Sequence, residues 1–251
     1  MVEIYRVLIP LDSQDSQTFG LMLSYVEQIA KNAGVSNVIL LTHTKAQFDS
    51  TSLSRFLGAA VSKALSKGKK VNLPWGGTIK GETMKTLVYP ARDTIVVAYY
   101  ADESLLDFVD NLHGVRGVVA VPWVRGEADG WAARWNARIH GREVQPPSVL
   151  IEDPVVVRAL EILTGIINLS TGLGHPSDRK MADEMLRILR AKGHRDPSGQ
   201  IKSWAIRHKW SPSAASDLEA LAKKVWSLRT KPSLAAFHDP DGRYNRWKAD
   251  G

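Results

Sequence analysis

Four carboxylates and a histidine stand where the sequence places the ends of β-strands. Asp12 and Asp15 follow the apolar run Ile4–Pro10, His43 follows Val38–Thr42, and Asp102 and Glu103 follow Thr94–Tyr100. In an open parallel sheet, ligands bind beyond the carboxyl ends of the strands. Carboxylates converging there can hold a divalent cation that polarises a phosphoryl group. A histidine beside them can move a proton near neutral pH. Asp12, Asp15, His43, Asp102 and Glu103 are therefore the candidate catalytic residues. Helix N-caps use the same residue types, and the spacing matches no metal-binding motif, so no metal ligand set and no cofactor is assigned.

A second chemistry lies in the positive charge. Of the 33 Lys and Arg and 26 Asp and Glu, residues 1–175 hold 17 of each, so the whole excess of +7 falls in residues 176–251. Within that stretch Lys202, Arg207, Lys209, Lys223, Lys224 and Arg229 accompany Trp204, Trp210 and Trp226. Basic side chains neutralise phosphates and indole rings stack on unpaired bases, which makes these six cations the candidate nucleic-acid contacts. The two helices expected here, about 197–209 and 212–229, are joined by a very short turn, in outline a helix-turn-helix spacing. Asp217 and Glu219 oppose groove reading, because they would repel phosphate from the first part of the second helix.

Other chemistries are excluded by what is missing. The chain has no cysteine, which removes disulfides, thiol catalysis and thiolate metal sites. It contains neither the dinucleotide-binding glycine fingerprint, nor the phosphate-binding loop motif, nor the G-x-S-x-G nucleophile turn. The seven histidines form no helical i, i+4 pair, so zinc has little support. Met1–Arg6 does not open a secretory leader, and no apolar run reaches the length of a membrane span. The expectation is a soluble cytoplasmic protein with no membrane partner.

The elements that must position these residues follow from periodicity. Phe19, Met22, Leu23, Val26 and Ile29 make the apolar stripe of a helix ended by Gly34. Leu53, Phe56, Leu57, Ala60, Val61, Ala64 and Leu65 predict one continuous helix of more than three turns. Val38–Thr42, Thr94–Tyr100 and Gly117–Trp123 are apolar on both faces, as parallel strands buried on both sides are. Short strands are expected at 70–73 and 84–89. Trp131, Trp135 and Ile139 predict a closing helix with Arg134 and Arg138 on its wet face. Beyond Pro146 and Pro147 every periodic segment is helical. Asp153–Pro154, Asp196–Pro197 and Ser211–Pro212 each pair an N-cap with proline at the first helical position.

The predicted fold is α/β, with a small, largely parallel sheet flanked by helices in Rossmann-like layering, followed by an all-helical C-terminal domain. The expected bounds are 1–145 for the α/β domain, 152–232 for the basic helical domain, and 233–251 for a loose polar tail. The leading functional expectation is a nucleic-acid-associated binding protein. Its helical domain would contact the phosphates of DNA or RNA, with the α/β domain as sensor or partner platform. The alternatives are a metal-dependent enzyme acting on a phosphate-bearing substrate at the strand ends, and an interaction module that docks on an acidic protein.

Overall fold

The computed structural model describes residues 4–88, 91–144, 146, 148–169 and 171–249. The chain divides into two compact units, Met1–Ser148 and Val149–Gly251.

The first unit is a seven-stranded sheet flanked by helices. In chain order its elements are β1 (Tyr5–Leu8), α1 (Ser16–Ala33), β2 (Asn37–Thr42), α2 (Ala46–Ser50), α3 (Ser52–Leu57) and α4 (Ala59–Ser66). They continue with β3 (Lys70–Asn72), β4 (Thr78–Thr83), β5 (Thr94–Ala101), α5 (Glu103–Asp110), β6 (Val115–Pro122), α6 (Asp129–Trp135) and β7 (Arg138–Ile139). The strand order is β3-β4-β2-β5-β6-β1-β7. Every neighbouring pair is parallel except β3 with β4. All eight residues of β5 are buried, as its unbroken apolar run requires of a central strand covered on both faces.

Two cores lie on the two faces of the sheet. On one face Met22, Val26 and Ile29 of α1 pack with Phe48, Leu53 and Leu65 of the α2–α4 region. On the other, Leu105, Leu106 and Val109 of α5 pack with Trp131 and Ala132 of α6. The chain leaving β2 therefore turns to one face and the chain leaving its neighbour β5 to the other. That divergence opens a crevice at the carboxyl edge, the position where this sheet type takes ligands. Close layering needs a glycine at 117: a Cβ there would stand 2.5 Å from Ile29 Cγ2.

Three expectations for this unit are corrected. The single helix through 53–65 is broken at Gly58, whose φ of +76° is not helical. The second short strand is Thr78–Thr83 rather than 84–89; residue 89 lies outside the described residues. The closing helix ends at Asn136 in the left-handed conformation, and Ile139 belongs to β7. Arg134 is buried instead of wet. Its guanidinium lies 2.7 Å from Asp110 and 3.0 Å from Asp107.

The second unit comprises α7 (Pro154–Ile166), a single 3₁₀ turn at Gly172–Gly174, α8 (Pro176–Ala191), α9 (Ser198–Arg207), α10 (Pro212–Trp226) and α11 (Pro240–Ala249). Asp153, His175 and Ser211 cap α7, α8 and α10 with their side chains, each followed by proline. The α9–α10 pair packs through Ile201, Trp204 and Ala205 against Leu218, Leu221 and Val225. The expected loose tail contains α11, which packs on α7 with Trp247 buried. One large apolar side chain in a polar segment gives too little periodicity to announce a helix. No helix among the described residues is long and apolar enough to cross a membrane.

Candidate functional site

The basic face is built on α9, α10 and the segment after them. Residues 198–231 carry seven basic side chains (Lys202, Arg207, Lys209, Lys223, Lys224, Arg229 and Lys231) against two acidic ones, Asp217 and Glu219. Apolar positions turned into the α9–α10 seam leave the cations outside. Lys209, Lys223, Lys224, Arg229 and Lys231 are exposed, whereas Lys202 and Arg207 are half-buried. Burial lowers the pKa of Arg207 from its usual value, yet a guanidinium stays charged at neutral pH. Lys223 lies 2.8 Å from Glu219 one helical turn away, which neutralises one of the two carboxylates.

The tryptophans expected to stack on bases are occupied. Trp204 and Trp210 are buried, and Trp210 donates to Thr164 Oγ1 at 2.9 Å. Trp226 donates to the His194 carbonyl at 3.3 Å. Trp204 belongs to the apolar stripe of α9, Trp210 fills the turn before α10, and Trp226 is half-buried at the end of α10. The charge split also softens at the observed boundary, with 17 basic and 12 acidic residues in Val149–Gly251 and 16 and 14 in Met1–Ser148. What remains is a charge concentration local to α9–α10.

At the strand ends the structure brings together two of the five candidates. His43 Nε2 lies 3.3 Å from Asp102 Oδ1, at the ends of the adjacent strands β2 and β5. Asp102 also caps α5, accepting from the Leu105 amide at 2.8 Å and the Ser104 hydroxyl at 2.9 Å. Burial works against its charged form. The Leu105 and Ser104 bonds and the nearby His43 outweigh that burial and hold the carboxyl below its ordinary value. Asp15 caps α1 through the Gln17 amide, and Asp12 accepts from the Gln14 amide. Glu103 is an exposed residue in the first turn of α5. Among the described residues, no group of three or more His, Asp or Glu side chains is placed to hold a metal ion.

Two arrangements escaped the sequence reading. The first is a cleft of about 360 Å³ at the carboxyl edge of the sheet, lined by Gln14, Thr51, Ser52, Arg55, Tyr100 and Trp123 among others. Tyr100 sits at φ +60°, where the β5–β6 register shifts between Tyr99 and Ala101. Its hydroxyl lies 2.8 Å from both Thr51 Oγ1 and Ser52 Oγ, and its ring lies 4.6 Å from that of Trp123. Neighbouring Tyr99 donates to the Ser13 carbonyl at 2.7 Å. Burial, then Tyr100, Asp12 and Asp15, push its pKa well above the usual phenol value. Two adjacent tyrosines after an apolar run were the only sequence signal, and they read as strand.

The second arrangement is a polar chain in the helical unit, beside a cleft of about 560 Å³. Asp153 Oδ2 lies 2.6 Å from His194 Nδ1, and His194 Nε2 lies 3.2 Å from the Tyr244 hydroxyl. Burial opposes the charge on Asp153. The bond from His194, the Val156 amide, the His194 charge and the Val155 amide together hold its pKa below the ordinary value. An ionised carboxylate only accepts, so Nδ1 carries a proton. The chain ties the start of α7 to the α8–α9 loop and to α11.

Residues 152–248 match a family described as a domain of unknown function (DUF1889). The match lies wholly within the helical unit and carries both the α9–α10 face and the Asp153–His194–Tyr244 chain. No curated protein and no solved structure matches the chain.

Proposed function

We propose that this is a nucleic-acid-associated binding protein whose α9–α10 pair contacts backbone phosphates, with the α/β unit serving as a sensor or partner platform. The single observation that supports this most is the local charge: seven cations and two carboxylates in 34 residues, with five of the cations exposed. Lys209, Lys224, Arg229 and Lys231 have no carboxylate partner among the described residues, so their charge is free to act on a polyanion. Buried tryptophans favour duplex or backbone contact over stacking on unpaired bases. Asp217, exposed near the start of α10, weighs against reading a groove with that end of the helix.

The test is fluorescence anisotropy with labelled duplex DNA, single-stranded DNA and RNA across a salt series. If Lys209, Lys224, Arg229 and Lys231 each neutralise a phosphate, the log–log slope on duplex DNA is about −3.6. Raising salt from 50 to 200 mM then weakens binding by roughly 150-fold. Lys224→Glu with Arg229→Glu flattens that slope by about 2 without lowering the melting temperature. No binding at 50 mM salt, or a slope the double variant leaves unchanged, overturns the proposal. An acidic protein that binds in a Lys224- and Arg229-dependent way, with no nucleic-acid affinity, would make the face a protein-docking surface instead.

A further inference from the structure

The cleft at the carboxyl edge of the sheet has the composition of a small-ligand site. Its volume of about 360 Å³ falls within the range of small-molecule pockets and excludes a duplex. It lies where the loops after β2 and β5 part to opposite faces, the position this sheet topology reserves for ligands. Three features specify the ligand.

The first is Trp123. This large apolar side chain is 47 % exposed, one of few such residues among those described. Its indole rests on the buried Tyr100 ring, tilted 46° and 4.6 Å away, so the ring is held while much of it stays uncovered. A rigid, half-uncovered indole on the wall of a cleft is a platform for another flat ring.

The second is Arg55. Its guanidinium makes one long bond, 3.4 Å to the Gln14 carbonyl, and no ion pair among the described residues. The remaining donors match the oxygens of a phosphate. No Asp or Glu lines the cleft, so an anion meets no carboxylate there. Ser50, Thr51 and Ser52 make the same wall neutral, their hydroxyls bonded to the Ala46, Gln47 and Ser13 carbonyls.

The third is the strain in Tyr100. A bulky residue at φ +60° is strained and persists only where its surroundings hold it. Here two hydroxyls hold it, and the outcome is a ring placed beneath Trp123. A straight β5 would send residue 100 to the face opposite its neighbour 99, whereas the bulge brings both tyrosines to the same core.

We propose that this cleft binds a mononucleotide, its base against Trp123 and its phosphate against Arg55. The inference does not rest on the α9–α10 face, which lies in the other unit. The test is isothermal titration of the full chain with AMP, ATP, GTP, adenosine and inorganic phosphate. Nucleotides are expected to bind more tightly than adenosine, with inorganic phosphate weakest. Trp123→Ala should weaken nucleotides by about 5- to 100-fold, the range of base–aromatic stacking. Arg55→Ala should bring AMP and ATP to the affinity of adenosine. Both residues are exposed, so the melting temperature should not move, and Lys224→Glu with Arg229→Glu should leave nucleotide affinity unchanged. The proposal is overturned if no nucleotide binds at millimolar concentration, or if the bound nucleotide ignores both cleft substitutions. Binding of a single-stranded oligonucleotide at Trp123 with no mononucleotide affinity would also overturn it.

Discussion

Arg134 and Asp110 form a buried ion pair that fixes α6 to α5. Their side chains are 4 % and 1 % exposed. Asp110 accepts from Arg134 at 2.7 Å, from Trp131 at 3.1 Å and from Trp135 at 2.9 Å. Asp110→Asn keeps the shape but turns an amide donor either toward the guanidinium or toward the two indole N–H groups, all of which only donate. Removing one partner of a buried pair costs about 3–5 kcal/mol. Asp107, 3.0 Å from Arg134, keeps part of the compensation and puts the expected loss near 3 kcal/mol. For a unit of this size that lowers the melting temperature by roughly 6–12 °C. Arg134→Met removes the other partner and adds a pH signature. Burial already pushes the Asp110 carboxyl above its ordinary value, and the bond from Trp135, then Arg134 and Trp131, offset only part of it. A native carboxyl with a raised pKa holds its proton better than the unfolded chain does, so stability falls as pH rises through that pKa. Without Arg134 the fall should steepen, and Arg134→Met should be more destabilised at pH 8 than at pH 5. Thermal unfolding by near-ultraviolet circular dichroism, with two of the eight tryptophans bonded to Asp110, reads both effects. A loss under 0.5 kcal/mol in Asp110→Asn, or a pH-independent Arg134→Met, would refute the reasoning.

The helical unit carries two further expectations. Asp153 has a depressed native pKa, so its contribution is present above the ordinary carboxylate value of 3.8 and lost as pH falls through the native one. Asp153→Asn keeps the cap on α7 and should flatten the acid limb of the unit's melting-temperature profile; an unchanged limb would assign acid sensitivity elsewhere. Trp247→Ala should release α11, because a ten-residue helix does not hold without packing. Hydrogen exchange of residues 240–249 should then approach the unprotected rate, with retained protection showing that the ion pairs Lys192–Asp241 and Arg243–Glu184 suffice.

The layers of both units could be read from periodicity because burial on a sheet or helix leaves a regular trace. Val38–Thr42 and Thr94–Tyr100 had no polar face to display, and Asp153 and Ser211 stand directly before prolines that start helices, whereas α9 starts at Ser198 with Pro197, not Asp196, at its N-cap. What was lost depends on spacing that one-dimensional rules treat too coarsely. Arg134 was assigned to the wet face, although its position i+3 from Trp131 places it on the side of that buried ring. Gly58 interrupted an otherwise regular stripe. The Tyr100 bulge and the His43–Asp102 contact depend on which strands become neighbours, and nothing in the order of the residues fixes that. Of the tryptophans between cations, Trp204 stands i+3 from Ile201 in an apolar stripe, whereas the burial of Trp210 in the α9–α10 turn left no periodic trace.

The two outer strands of the sheet are its shortest, three residues in β3 and two in β7. An exposed strand edge is a template on which another chain can add. Here the template is cut to a few amides at either side, and β3 is antiparallel and begins with a lysine. The inner strands β2, β5 and β6, rich in valine, isoleucine and leucine, have the composition that favours strand pairing between chains. Stub-ended margins limit the backbone on which a second sheet could pair.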